Sequence, residues 1–219
     1  MRLGVEDLSA MPPGYVRALF DQYAPRFDKT LVNDLDYRGP AVLLKAVLAA
    51  RHAAKLPAHF KRAIDLGCGT GLVAREFGSL ADEFIGVDLS SGMIERARDT
   101  GLYARLDVMD MLQGLQAESD ASANLVIAAD AFVYVPELDA LLVETARVLT
   151  PQGLLAFTVE THAGKGVILG PGLRYAHGEA YLRKAIADAG LTLCEITAVS
   201  TRIEANEPVP GLVVTASKA

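Results

Sequence analysis

The chain has 219 residues, 51% of them hydrophobic, and a formal net charge of -6 at neutral pH. That length favours a single domain with at most an extension, and it is enough apolar chain for one sizeable core. The acidic balance excludes a nucleic-acid phosphate backbone as the main partner, since such binders carry a basic excess. Cys68 and Cys194 lie far apart and make neither a disulfide framework nor a metal cluster, so no metal is expected. No apolar run reaches the roughly 20 residues of a membrane span, and the start lacks the apolar centre of a secretory signal. A cytoplasmic chain with no membrane contact is therefore expected.

Residues 1–12 are polar and end in proline, which reads as a linker or arm. From Pro13 the apolar positions Val16, Leu19, Phe20, Tyr23, Phe27, Leu31 and Leu35 recur every three or four residues, a helical face. Pro25 interrupts it and is expected to open a second helix. A third helix is expected from about Pro40 to the break at Pro57. Arg51, Lys55, Lys61 and Arg62 fall at its end, where the helix dipole favours cations. Residues 1–60 thus read as a helical extension and residues 61–219 as the main domain.

The stretch 63–71, AIDLGCGTG, joins the end of a buried strand to a glycine-rich turn, and LVAREF then opens a helix. Gly67, Gly69 and Gly71 permit backbone angles and a close ligand approach that side chains forbid, and the helix directs unpaired N–H groups at whatever the loop holds. Asp65 precedes the first glycine by two residues. Its carboxylate would repel the pyrophosphate of a dinucleotide but attract the ammonium and sulfonium of S-adenosylmethionine.

A second strand, over 84–88, ends at Asp88, about 20 residues past Gly67, where nucleotide-binding βαβ units place the acid for the ribose hydroxyls. Ser90 and Ser91 can cap the next helix, which Gly101 stops. The strand over 103–108 ends at Asp107, and Asp110, three residues on, could substitute for it. Residues 124–130, NLVIAAD, are apolar almost throughout, as befits a central parallel strand. A helix over 136–149 and a strand over 153–161 continue an alternation that spells a doubly wound α/β sheet. Past His162 the glycine-rich AGKGVILGPG reads as a loop over the site. After a helix over 178–189, two extended runs, 191–203 and 211–217, are joined by only ANEPVP, too short for a crossover, so they should form an antiparallel hairpin.

The aspartate-led glycine loop, Asp88 and the reversed last strand together resemble the class I S-adenosylmethionine-dependent methyltransferases. The segments LFDQYAPRFDKTLVNDLDYRGP, RYAHGEAYLRKAIADAGL and PVPGLVV are similar to a bacterial group often fused to tetratricopeptide repeats, although no helical-repeat period occurs in this chain. The resemblance implies a Rossmann-like, doubly wound, seven-stranded sheet with an antiparallel C-terminal strand, plus an N-terminal helical lid. It also implies S-adenosylmethionine as cofactor, S-adenosylhomocysteine as product, and methyl transfer to a small molecule. Asp65 and the backbone of Gly67, Cys68 and Gly69 would then hold the methionine end. Asp88, with Leu89 beside it, would take the ribose, and Met93 would pack on the adenine. Asp107 would accept from the adenine amino group while the Val108 N–H reaches a ring nitrogen. Ala129 and Asp130 would sit beside the sulfonium, and Tyr23 and Phe27 would close over the cofactor. Asn124 stands where that group has an aspartate, a position expected to shape a turn.

Catalytic and acceptor-binding groups should lie at the carboxyl ends of the strands. His162, Asp130 and His177 are the candidates for proton transfer. Tyr134, Arg174 and Tyr175 are the candidates for holding the acceptor, and Arg174 with Tyr175 and His177 suits an acidic or phenolic small molecule. Two other readings compete. An oxidoreductase using a nicotinamide dinucleotide is disfavoured by Asp65, the glycine spacing and the terminal hairpin, and a non-catalytic regulator that binds S-adenosylmethionine would share the whole cofactor half of the site.

Overall fold

The computed structural model describes residues 12–24, 37–170, 172–204 and 206–219. The helix expected to open at Pro25, and Phe27 with it, lies outside these residues. α1 (Pro13–Tyr23) starts on a proline, whose missing N–H is no loss at a helix start. α2 (Gly39–Ala53) stops short of Pro57. There Arg51 donates to the carbonyl oxygens of Pro57 at 2.8 Å and Gln152 at 3.0 Å, and its guanidinium lies 5.0 Å over the Phe60 ring. Arg51 thus fastens the helix end to the sheet, a more specific job than answering the dipole.

The strands and helices then alternate: β1 (Phe60–Leu66), α3 (Leu72–Phe77), β2 (Ala81–Asp88), α4 (Ser91–Asp99), β3 (Arg105–Val108), α5 (Met111–Gln116), β4 (Ala123–Ala128), α6 (Asp139–Val148) and β5 (Leu149–Glu160). A short hairpin, β6 (Val167–Leu169) and β7 (Tyr175–His177), precedes α7 (Glu179–Asp188). The chain closes with β8 (Leu191–Val199), β9 (Ile203–Glu204), β10 (Glu207–Pro208) and β11 (Gly211–Lys218).

The main path of the sheet runs β3-β2-β1-β4-β5-β11-β8. Its first five strands are parallel, while β11 is antiparallel to both β5 and β8. The chain winds outward in both directions from the β1–β4 pair, so the crevice at the carboxyl ends of these two strands is the switch point where open α/β sheets take their ligands. Asn124 lies in β4 and ties it to both neighbouring strands rather than shaping a turn: its Oδ1 accepts from the Arg62 N–H of β1 at 3.2 Å and its amide donates to Thr150 Oγ1 of β5 at 3.2 Å.

Alternation along the strands sorts the core into two layers. Leu125 and Ile127 of β4 face α2 and α3 with Leu43, Val47 and Phe77. Val126 and Ala128 face α5, α6 and α7 with Leu115, Leu142 and Leu182. Each large side chain fully buried there contributes about 1.5–3 kcal/mol, which is what clamps the strand ends in register. Among the described residues no helix is long and apolar enough to cross a membrane.

Three local expectations differ from the structure. The helix expected from residue 136 starts at Asp139, because Phe132–Tyr134 forms a separate 3-10 turn at the cavity wall. The segment after His162 is not wholly a loop, since β6 and β7 pair and β7 continues the sheet beside the end of β5, Glu160 opposite Ala176. The run 191–203 breaks at Val199, and β9 and β10 make a separate two-stranded ribbon. The break turns Arg202 inward, where it is 4% exposed and meets three carboxylates.

Candidate functional site

A cavity of about 430 Å³ lies at the carboxyl ends of β1, β2 and β4. Its floor is the glycine loop. Gly67 has φ +68, and a Cβ there would come within 2.5 Å of the Ala131 Cβ, so neither the angle nor the space admits a side chain. The N–H groups of Gly67 and Cys68 both donate to the Val87 carbonyl, at 2.8 and 3.0 Å, which ties the loop to the end of β2.

Asp88 follows directly. One carboxylate oxygen accepts from the Gly69 N–H at 2.9 Å, the other from the Ser90 N–H at 2.8 Å. Each oxygen of an ionised carboxylate has two acceptor positions, so one on each remains for a ligand in the cavity that Asp88 lines. That is the donor demand of a vicinal diol. Burial pushes the Asp88 carboxyl up, and the two backbone N–H groups oppose it. Leu89 and the buried Met93 line the wall next to it.

Ser90 caps α4 by accepting from the Met93 N–H at 3.1 Å, and its own hydroxyl donates to Asp21 of α1 at 2.6 Å. The helix carrying Val16 and Phe20 into the cavity wall is thereby hydrogen-bonded to the turn that carries Asp88. Asp65, just before the glycine loop, is 0% exposed. Its Oδ2 accepts from the Tyr103 hydroxyl at 2.7 Å, while Oδ1 is buried with no partner. Burial raises its carboxyl to about 7, the Tyr103 bond opposing and the Asp88 charge adding to the rise.

Across the cavity Asp130 takes the left-handed φ of 49, which brings its backbone N–H to Thr158 Oγ1 at 2.8 Å. Its carboxylate accepts from Thr158 at 2.7 Å and Thr201 at 2.8 Å, with Arg202 Nη1 at 3.5 Å. Arg174 Nε donates to the Tyr134 hydroxyl at 3.1 Å, and Phe20 packs edge-on against the Tyr134 ring at 5.2 Å. Tyr37 completes this side. Its ring lies over Gly39, where a Cβ would meet the hydroxyl at 2.3 Å, and the hydroxyl has no hydrogen-bond partner among the described residues.

The structure brings together Gly67, Cys68, Gly69, Asp88, Leu89 and Met93 with Ala129, Asp130, Tyr134 and Arg174 around one cavity. Several expected site residues lie elsewhere. The His162 ring closes its own loop, accepting from the Gly164 N–H at 3.1 Å and meeting the Gly166 carbonyl at 3.2 Å, so it does not line the cavity. His177 is 0% exposed, stacks on Tyr181 and bonds the Val135 carbonyl at 3.0 Å. Burial lowers its imidazole to about 4, which keeps it neutral and unfit as a base near pH 7. Tyr175 does not line the cavity but is buried behind its wall, in one apolar cluster with Val16, Phe20, Leu89 and Tyr134.

Asp107 pairs with Arg105 at 2.7 Å, and neither it nor the half-exposed Val108 lines the cavity; Asp110 does. Tyr23 is 41% exposed and outside the lining, and the lid contacts come from Val16 and Phe20 instead. Val16, Phe20, Tyr37 and Arg202 are lining residues that the sequence did not single out as site residues, whereas Asp110 is the alternative to Asp107 that the sequence offered.

The donor set discriminates between cofactors. Three acids line the cavity, and its two arginines, Arg174 and Arg202, are both held by carboxylates. An acid with acceptor capacity left on both oxygens beside apolar Leu89 and Met93 fits an adenosine, and the surplus of acid fits a cation attached to it better than a pyrophosphate.

Residues 63–153 match the model of the family described as "Methyltransferase domain". Methyltransferase-like protein 27 of Homo sapiens is 34% identical over 154 residues, 66% of this chain and 57% of that protein. The chain spans little more than half the length of the curated relatives it matches. Among solved structures, a 1,6-didemethyltoxoflavin-N1-methyltransferase of Burkholderia thailandensis, with its substrate and S-adenosylhomocysteine bound, superposes with a TM-score of 0.68 at 17% identity, covering 98% of this chain and 93% of that one. A cyclase superposes with a TM-score of 0.70 at 19% identity, covering 95% and 97%. At such identities the likeness establishes the fold and leaves the chemistry to the site. Residues 63–153 are thus similar to methyltransferase domains, and the chain has the Rossmann-like fold seen in S-adenosylmethionine-dependent methyltransferases.

Proposed function

We propose that the chain transfers a methyl group from S-adenosylmethionine to a small molecule. The observation that carries this reading is Asp88, which lines the cavity at the switch point and accepts only one backbone N–H on each carboxylate oxygen among the described residues. Asp88 would take the ribose hydroxyls, Leu89 and Met93 the adenine, and the backbone of Gly67–Gly69 the methionine end, with the charge of Asp65 acting from its buried place behind the loop. Asp110, which lines the cavity, is better placed toward the adenine than Asp107, whose carboxylate is committed to Arg105.

Bound S-adenosylmethionine supplies a methyl group already activated by its sulfonium. The chain's own residues then have to align the acceptor and exclude water. Phe20, Tyr134 and Val135 make the wall that does so. A base is optional for such a transfer, and the three donors on Asp130 suit it to positioning rather than to taking a proton. The size of the cavity, about 430 Å³, and the small substrate of the toxoflavin-type methyltransferase that shares this fold support a small molecule as acceptor, and the net charge of -6 speaks against nucleic acid. The bacterial tetratricopeptide-associated resemblance adds nothing about the acceptor.

The test is turnover. Protein incubated with methyl-labelled S-adenosylmethionine and a panel of phenols, amines and carboxylic acids should form more than one equivalent of S-adenosylhomocysteine with at least one acceptor. Tight cofactor binding with no turnover across the panel would favour a non-catalytic regulator, or a different chemistry on the same fold such as that of the cyclase.

A further inference from the structure

Two arginines line the acceptor side of the cavity, and both are already matched. Arg202 is ion-paired to Glu160, to Glu204 at 2.8 Å and to Asp130 at 3.5 Å. Arg174 is ion-paired to Glu204 at 2.5 Å and lies 3.8 Å from Glu160. Burial works against the Glu204 charge, but the hydrogen bonds from Arg202 and Arg174 prevail and hold its carboxyl below the usual range. Three carboxylates thus face two guanidinium groups, and the cluster as a whole is one charge negative.

A carboxylate or phosphate entering here would have to displace Glu204 or Glu160 from an arginine and would meet the remaining acids at short range. A neutral molecule faces no such opposition. The Tyr37 hydroxyl lines the same end and has no hydrogen-bond partner among the described residues, and burial and the nearby Asp130 charge keep its phenol protonated well above the ordinary range. It is therefore a neutral hydrogen-bond donor available to a ligand.

We propose that this end of the cavity takes an uncharged acceptor, a hydroxyl or amine compound whose oxygen or nitrogen accepts a hydrogen bond from Tyr37, and that it rejects carboxylates and phosphates. This narrows the acidic or phenolic class expected from Arg174, Tyr175 and His177 to its uncharged members, and it rests on the methyl-transfer reading above.

The full chain saturated with S-adenosylhomocysteine is titrated at pH 7 with benzamide and benzoate, isosteres that differ in charge, by ligand-observed NMR. The amide is expected to bind at least about tenfold more tightly. In Glu204→Gln, which leaves Arg174 without its nearest carboxylate, benzoate affinity should rise roughly 10- to 100-fold, the range a charge-assisted hydrogen bond supplies. Glu160→Gln, which releases Arg202, should shift benzoate the same way, and Tyr37→Phe should weaken the amide alone. A wild-type preference for benzoate, or no gain in either glutamine variant, overturns the proposal, and absence of binding by both probes in all proteins counts as the latter. If S-adenosylhomocysteine itself fails to bind, the methyl-transfer reading falls and this inference with it; a preference for benzoate in the product complex removes this inference alone.

Discussion

Replacing Asp65 with asparagine removes the charge of a fully buried carboxyl and keeps its shape. The wild-type group accepts a single hydrogen bond, from Tyr103, and its other oxygen is buried without a partner. Burial chiefly, with a contribution from Asp88 and against the pull of Tyr103, lifts it from 3.8 to about 7. A carboxyl that titrates near 7 when folded and near 3.8 when unfolded binds its proton more tightly in the folded state. The folded chain therefore suffers no penalty below about pH 4 and loses stability as the pH rises to about 7. About three units at 1.36 kcal/mol each put the loss on the order of 4 kcal/mol. Asp65→Asn escapes it at every pH. Urea unfolding of the ligand-free wild type and variant from pH 4 to 8 should give nearly equal stabilities at pH 4, and at pH 8 a variant more stable by an amount approaching that figure. The same variant should bind S-adenosylhomocysteine more weakly, because a cation beside residue 65 favours the ionised acid. A stability difference that does not change with pH would refute the reasoning.

Asp88→Ala should weaken S-adenosylhomocysteine binding by about 1.5–3 kcal/mol in calorimetry, the loss of a charge-assisted hydrogen bond; unchanged affinity would remove Asp88 from the ribose. Asp21→Ala breaks the bonds from Ser90 at 2.6 Å and Gly92 at 3.3 Å that hold α1 on α4. A loss of about 1 kcal/mol is expected, a melting temperature lower by roughly 2–4 °C and faster proteolysis within residues 12–24; a lid that resists protease as before would contradict it. His177, lowered to about 4 by burial, contributes stability that is complete above about pH 6.5 and lost as the pH falls toward 4. Its imidazole signal, assigned by its absence in His177→Gln, should not titrate above about pH 5, and a midpoint near 6.5 would rule out the buried neutral ring.

The cofactor half of the site was legible because its chemistry is local. The glycine loop, the acid ending β2 and the serine cap each lie within a few residues of what they organise, and the terminal hairpin followed from a connection too short to cross the sheet. The acceptor half was not, because its residues meet through the fold. Arg202 reaches Asp130 and Glu160 only because β8 ends early, and nothing around Ser200 marks that break. Tyr37 depends on Gly39 to lie flat over the chain, a contact that no periodicity reports.

The positions of several residues outside the cavity follow from strand alternation and loop spacing. Tyr175 and His177 share one face of β7, so a convergent cluster with Arg174 runs against strand alternation. Arg105 and Asp107 likewise share a face of β3, which forecasts their pairing and leaves Asp110 for the cavity. His162, followed at two and four residues by glycines, had loop partners within reach from the start.

The cavity is expected to bind S-adenosylmethionine and its product in preference to a dinucleotide. At 100 times its dissociation constant a ligand adds about 2.7 kcal/mol of stability. For a chain of this size that amounts to roughly 5–10 °C in melting temperature. Calorimetric melting with S-adenosylhomocysteine and, separately, with a nicotinamide dinucleotide should show that rise with the first and none with the second. A rise with the dinucleotide alone would contradict the account.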